Sequence, residues 1–97
     1  MMYLLLSEID YSAMPTDPAE RGKLMASFME IVKKDLDSGA LMTWGMSPGG
    51  YRGFVLTKQD PKDLYAKTSM FIPHVKQEVL PMLSYDEVMD VMKEMQT

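Results

Sequence analysis

The sequence predicts a small α+β domain, and three observations carry that prediction. Short apolar runs of strand length alternate with longer segments of helical period. Asp17, Asp60 and Ser84 each stand at the head of a helical segment as a capping residue. Gly39, the Ser47-Pro48-Gly49-Gly50 stretch and Pro73 punctuate the joints between segments.

Tyr3 to Ile9 is apolar with a polar end and has strand length. Asp10 to Thr16, which contains Pro15, reads as a loop. Asp17-Pro18-Ala19-Glu20 then announces a helix, with Asp as cap, Pro at the first helical position and Glu at the capping-box position. The spacing of Met25, Phe28, Met29, Val32 and Leu36 marks one buried stripe on a helix that runs to about Ser38. Glu30 and Lys34 are placed to pair on its wet side, and Gly39 suits the position that ends it. Leu41 to Met46 and Tyr51 to Lys58 read as a hairpin closed by Ser47 to Gly50.

Asp60-Pro61-Lys62-Asp63 repeats the helix start signal. The helix after it carries Leu64, Tyr65, Thr68, Phe71 and Ile72 on one side and is expected to end at Pro73. Glu78 to Leu83 is the last strand, and Pro81 inside it argues for an edge or irregular position. Ser84-Tyr85-Asp86-Glu87 is a capping box. Tyr85, Val88, Met89, Met92 and Met95 form an amphipathic stripe behind it, expected to dock through Val88, Met92 and Met95.

The order β-α-β-β-α-β-α is the split βαβ, or ferredoxin-like, arrangement with one helix added, and it spans residues 1–97 as a single domain. Two helices cover only one face of a four-stranded sheet. Yet Leu4 and Leu6 oppose Tyr3, Leu5 and Ile9 in the first strand, and Phe54 and Leu56 oppose Tyr51 and Val55 in the third. A solvated face alternates with polar residues, so the second face calls for cover by a partner's sheet or by the C-terminal helix, and a symmetric homodimer is the expected solution.

Composition narrows the partners. The 97 residues hold ten Lys and Arg against fourteen Asp and Glu, a net charge of −4, which speaks against nucleic acid. With no cysteine, disulfides, thiolate metal sites and Cys nucleophiles are excluded. No segment approaches a membrane span, and the apolar start ends at Ser7, too early for a signal peptide, so a cytoplasmic location is expected. Twelve methionines would suit a copper binder if clustered beside His, but they follow helical and strand periods and read as core or interface filling. With a single His and no cluster of acids at ligand spacing, no metal and no cofactor is expected in the fold.

Trp44 through Phe54, with its Gly-Gly-Tyr-Arg-Gly-Phe, then Val55-Leu56, Asp60-Pro61 and Glu78-Val79-Leu80-Pro81-Met82-Leu83, resembles a family of small prokaryotic domains similar to the dimeric α/β-barrel superfamily. The resemblance covers roughly the C-terminal two-thirds of the chain. It implies a dimer and, in many members, a ligand in a cleft between sheet and helices. That superfamily includes small monooxygenases, an isomerase, haem-degrading enzymes and ligand-sensing domains. Members often carry a polar residue, frequently His, after the tryptophan; this chain has Gly45.

Candidate site residues each have a structural alternative. His74, the only histidine, reads as a surface or capping residue beside Pro73, or as a catalytic group that titrates near neutral pH. Trp44 reads as packing against Gly53 across the hairpin, with Met46 opposite Tyr51, or as the wall of an aromatic cleft with Tyr3 or Tyr51. Arg52 reads as solvated or as an anion contact. The glycines around it join two strands, where a phosphate loop joins a strand to a helix. Ser7, Ser47 and Ser69 lack the context of a nucleophile, and Asp35 and Asp37 read as solvated acids.

Three functions fit these residues. One is a ligand-binding dimer with Tyr3, Trp44 and Tyr51 in the cleft. A second is a cofactor-independent monooxygenase- or isomerase-like enzyme using His74 or Arg52. The third is a structural or protein-interaction dimer with no small-molecule site.

Overall fold

The computed structural model describes residues 1–96. Strand β1 (Met2–Ile9) leads through a single 3-10 turn (Tyr11–Ala13) to α1 (Pro18–Ser38). The hairpin β2 (Leu41–Met46) and β3 (Arg52–Thr57), helix α2 (Pro61–Ser69), β4 (Val75–Met82) and α3 (Tyr85–Met95) follow. The strands form one antiparallel sheet in the order β2-β3-β1-β4. This is the ferredoxin-like arrangement, with α3 appended.

Local chemistry sets the helix ends where the sequence places them. The Asp17 carboxylate accepts from the Glu20 backbone N–H, and Gly39 closes α1 in the left-handed conformation at φ 81°, which costs glycine no steric penalty. Asp60 accepts from the Lys62 N–H. Ser84 and Glu87 complete a full reciprocal capping box on α3. On the surface of α1 the ion pair that forms is Lys33–Asp37 at 2.9 Å, rather than Glu30–Lys34.

Three boundaries differ from the sequence reading. First, α2 stops at Ser69, and β4 begins at Val75 rather than Glu78. Tyr65 and Ile72, assigned to the buried side of α2, are 77% and 68% exposed. Tyr65 lies about 100° around the axis from Leu64, past the edge of the sheet contact, and Ile72 falls in the turn beyond the end of α2. Second, Met46 pairs with Gly53, not Tyr51, and Trp44 with Val55, not Gly53. Gly50 at φ 78° lengthens the loop, so the register moves by two residues and each side chain keeps its face. Aromatic cover of a strand glycine does occur, but between Phe54 and Gly45, where a Cβ would overlap the ring. Third, the register shifts between Leu41 and Thr43, a bulge that puts Leu41 on the same face as Trp44.

The sheet faces are unequal. Leu5, Ile9, Val55 and Thr57 are buried on the helix side, and Leu64 of α2 packs on that core together with Tyr3, Leu41 and Trp44. Met14, in the segment after the 3-10 turn, is also buried. On the other side Leu4, Leu6, Phe54, Leu56 and Leu80 form a contiguous apolar surface by register, on which Leu6 and Phe54 are exposed. Pro81 lies on β4, an edge strand as its ring requires.

Helix α3 does not dock on its own chain. None of its residues is buried, and Val88, Val91, Met92 and Met95 are exposed. The radius of gyration is 16.3 Å, against about 13 Å for a compact domain of this length. The longest extent is 62 Å.

Thr57, fully buried, donates from Oγ1 to the Ala40 carbonyl at 2.7 Å and accepts from the Gln59 N–H at 3.1 Å. It ties the α1–β2 joint to the end of β3. Thr57→Val keeps the shape and leaves both backbone groups without this partner, so urea denaturation should show a loss of about 1–3 kcal/mol.

Glu87 is held below its usual 4.5, first because its carboxylate accepts from the Ser84 backbone N–H. A depressed folded-state value contributes stability above the unfolded value and loses it as pH falls through the folded one. The first turn of α3 should therefore fray on acidification below pH 4.5, seen as lower protection of the Ser84 and Glu87 amides relative to an unstructured peptide at the same pH. Glu87→Gln, which keeps an acceptor but cannot titrate, should lose that local pH dependence.

Candidate functional site: the cleft between sheet and helices

The helix side of the sheet is incompletely closed. Met25, Phe28, Met29 and Val32 of α1 face the sheet as their spacing demands, yet no residue of α1 is buried. Between the layers lies a cavity of about 100 Å³. Its floor is Leu5, Ser7, Trp44, Gly53, Val55 and Gln77. Phe28 and Phe71 meet edge to face at 5.0 Å, and both line the wall.

The charged part of the lining is one ion pair. Asp35 of α1 and Lys67 of α2 meet at 3.0 Å, with side chains 13% and 36% exposed. Asp35 is thus not the solvated acid its sequence neighbourhood suggests. The helical stripe runs through Val32, Asp35 and Leu36 as adjacent positions, so a carboxylate one turn along shares the inner side. Nothing in the sequence pairs it with Lys67, because that contact spans 32 residues.

The predicted site residues separate. Trp44 lines the cavity. Tyr3 packs against the neighbouring core without lining it. Tyr51 lies in the hairpin loop, 60% exposed, with its ring against Tyr11 at 5.3 Å and its carbonyl accepting from the Ile9 N–H. Arg52 stands opposite Glu8 on the other face of the sheet. Gly45 sits under the Phe54 ring on that same face.

His74 is likewise outside the cavity. Its Nδ1 lies 3.0 Å from the Ala13 carbonyl, which can only accept, so Nδ1 carries the proton in that bond. The ring also faces Phe28 at 5.8 Å, and the His74 carbonyl accepts from the Asp10 N–H. These contacts fasten the 3-10 segment to the start of β4.

Among the described residues no group of three or more His, Asp or Glu is placed to hold a metal ion, and no helix is long and apolar enough to cross a membrane. No family model matches the chain, and no curated protein matches it.

The Asp35–Lys67 pair is testable. Lys67→Met removes the partner of a mostly buried carboxylate, and thermal unfolding should show a loss of about 1–2 kcal/mol, discounted for the exposure of Lys67. Adding Asp35→Leu should recover most of that loss, since an apolar pair leaves no buried charge behind.

Proposed function

We propose that the domain is a homodimeric binding module for a small apolar or aromatic molecule, held in the cleft between the sheet and helices α1 and α2. The observation that supports this is the stand-off of α1: an apolar stripe faces the sheet, yet none of its residues is buried. Protein layers ordinarily close to crystal-like density, and the exception here is a space lined mainly by apolar side chains with a few polar groups, the usual make-up of a ligand site. The titratable groups on the lining, Asp35 and Lys67, hold each other, which favours binding over proton transfer. The resemblance to the dimeric α/β-barrel superfamily points the same way, by analogy of fold.

The dimer reading rests on the apolar surface of Leu4, Leu6, Phe54, Leu56 and Leu80 and on the exposed stripe of α3. A second copy is the proposed occupant because it brings a matching sheet face by symmetry and covers both surfaces of the same chain. The charged residues of the face, Arg52 and Lys76 flanking Glu8 and Glu78 beside Leu6, balance in sign, so two such faces can meet without net repulsion.

Light scattering at micromolar concentration should report twice the 11.1 kDa chain mass. Leu6→Lys combined with Phe54→Lys should give a folded monomer; a wild-type monomer would sink the dimer. Indane, a small neutral aromatic, should shift the emission of Trp44, the single tryptophan, in a saturable way. Val32→Phe, which fills the cleft, should abolish the shift, and an unchanged titration in that variant would remove the cleft as the site.

A further inference from the structure

We infer that the cleft selects a neutral ligand carrying one carbonyl or hydroxyl oxygen, which Ser7 and Gln77 hold from the sheet floor. The inference rests on the binding reading above and adds the chemistry of the ligand. Ser7 on β1 and Gln77 on β4 are register partners, so their side chains stand side by side on the helix face. Both line the cavity and both are half-buried. Neither makes a side-chain hydrogen bond within the described chain.

Of the other hydrophilic lining groups, Thr68, Asp35 and Lys67 are engaged. Thr68 donates to the Tyr65 carbonyl at 3.2 Å. Asp35 and Lys67 satisfy each other, leaving no free counter-charge for an ionised ligand. Beside Ser7 on β3 is Gly53, where a Cβ would lie 2.7 Å from the Gly45 carbonyl oxygen. The backbone approach that demands glycine also leaves the hydroxyl unscreened on that side.

A serine hydroxyl and a glutamine amide each donate and accept. Together they can donate twice to a carbonyl or exchange a donor and an acceptor with a hydroxyl. An all-carbon ligand would strip their water and return nothing, which is how a polar pair in an apolar pocket discriminates.

Three probes of one shape separate the cases: indane, 1-indanone and indane-1-carboxylate, titrated against Trp44 emission. The wild type should bind 1-indanone about tenfold more tightly than indane and the carboxylate no better than indane. Ser7→Ala with Gln77→Leu should abolish the preference while indane binding persists, with circular dichroism confirming the fold. If the double variant fails to fold, the single variants should each cut the preference about threefold. Equal binding of indane and 1-indanone to the wild type, a preference that survives the substitutions, or tighter binding of the carboxylate would each overturn the inference and leave the cleft reading standing. Failure of all three probes to bind would bring down the cleft reading itself, and the inference with it.

Discussion

Strand β1 is the constraint on which the rest depends. It is paired along its length with β3 on one side and β4 on the other, so its backbone groups are spent within the sheet. Its side chains are apolar on both faces, with Leu5 and Ile9 against the helices and Leu4 and Leu6 away from them. A strand that alternates in this way commits two surfaces at once, and the chain supplies α1 and α2 for only one of them.

The covered face and the uncovered face therefore pose different problems. On the covered face α1 spans 21 residues and α2 nine, and the shorter helix brings only Leu64 into the core. With α1 standing off, the aromatic rings and the Asp35–Lys67 pair border a space rather than a packed layer. On the uncovered face Leu6 and Phe54 are exposed. Val88, Val91, Met92 and Met95 of helix α3 are exposed as well. The proposed ligand answers the first problem and the proposed second copy the second, and both follow from the hydrophobic cost of apolar surface left in water.

Candidate residues chosen by type sorted themselves by strand parity. Trp44 and Arg52, eight positions apart across a hairpin, point to opposite faces, so no single pocket holds both. Tyr51 escapes the sheet because Gly50 extends the loop, and His74 is occupied with the Ala13 carbonyl. Ser7 and Gln77, which sequence spacing does not connect, become neighbours because β1 and β4 pair in antiparallel register. Thr57 was equally silent: its bond to Ala40 joins residues that only the returning hairpin brings together.

The sequence by itself determined the order of elements, the caps that start α1, α2 and α3, the left-handed glycine that ends α1, and the two apolar faces of the sheet. These are local properties, fixed by hydrogen bonds within a turn and by the periods of helix and strand. Only the tertiary structure decided the two-residue shift of the hairpin, the bulge between Leu41 and Thr43, the stand-off of α1, the pairing of Asp35 with Lys67 and the free course of α3. Each of those depends on contacts between segments distant in the chain, whose outcome is set by competition for one buried surface and is not written in any single window of residues.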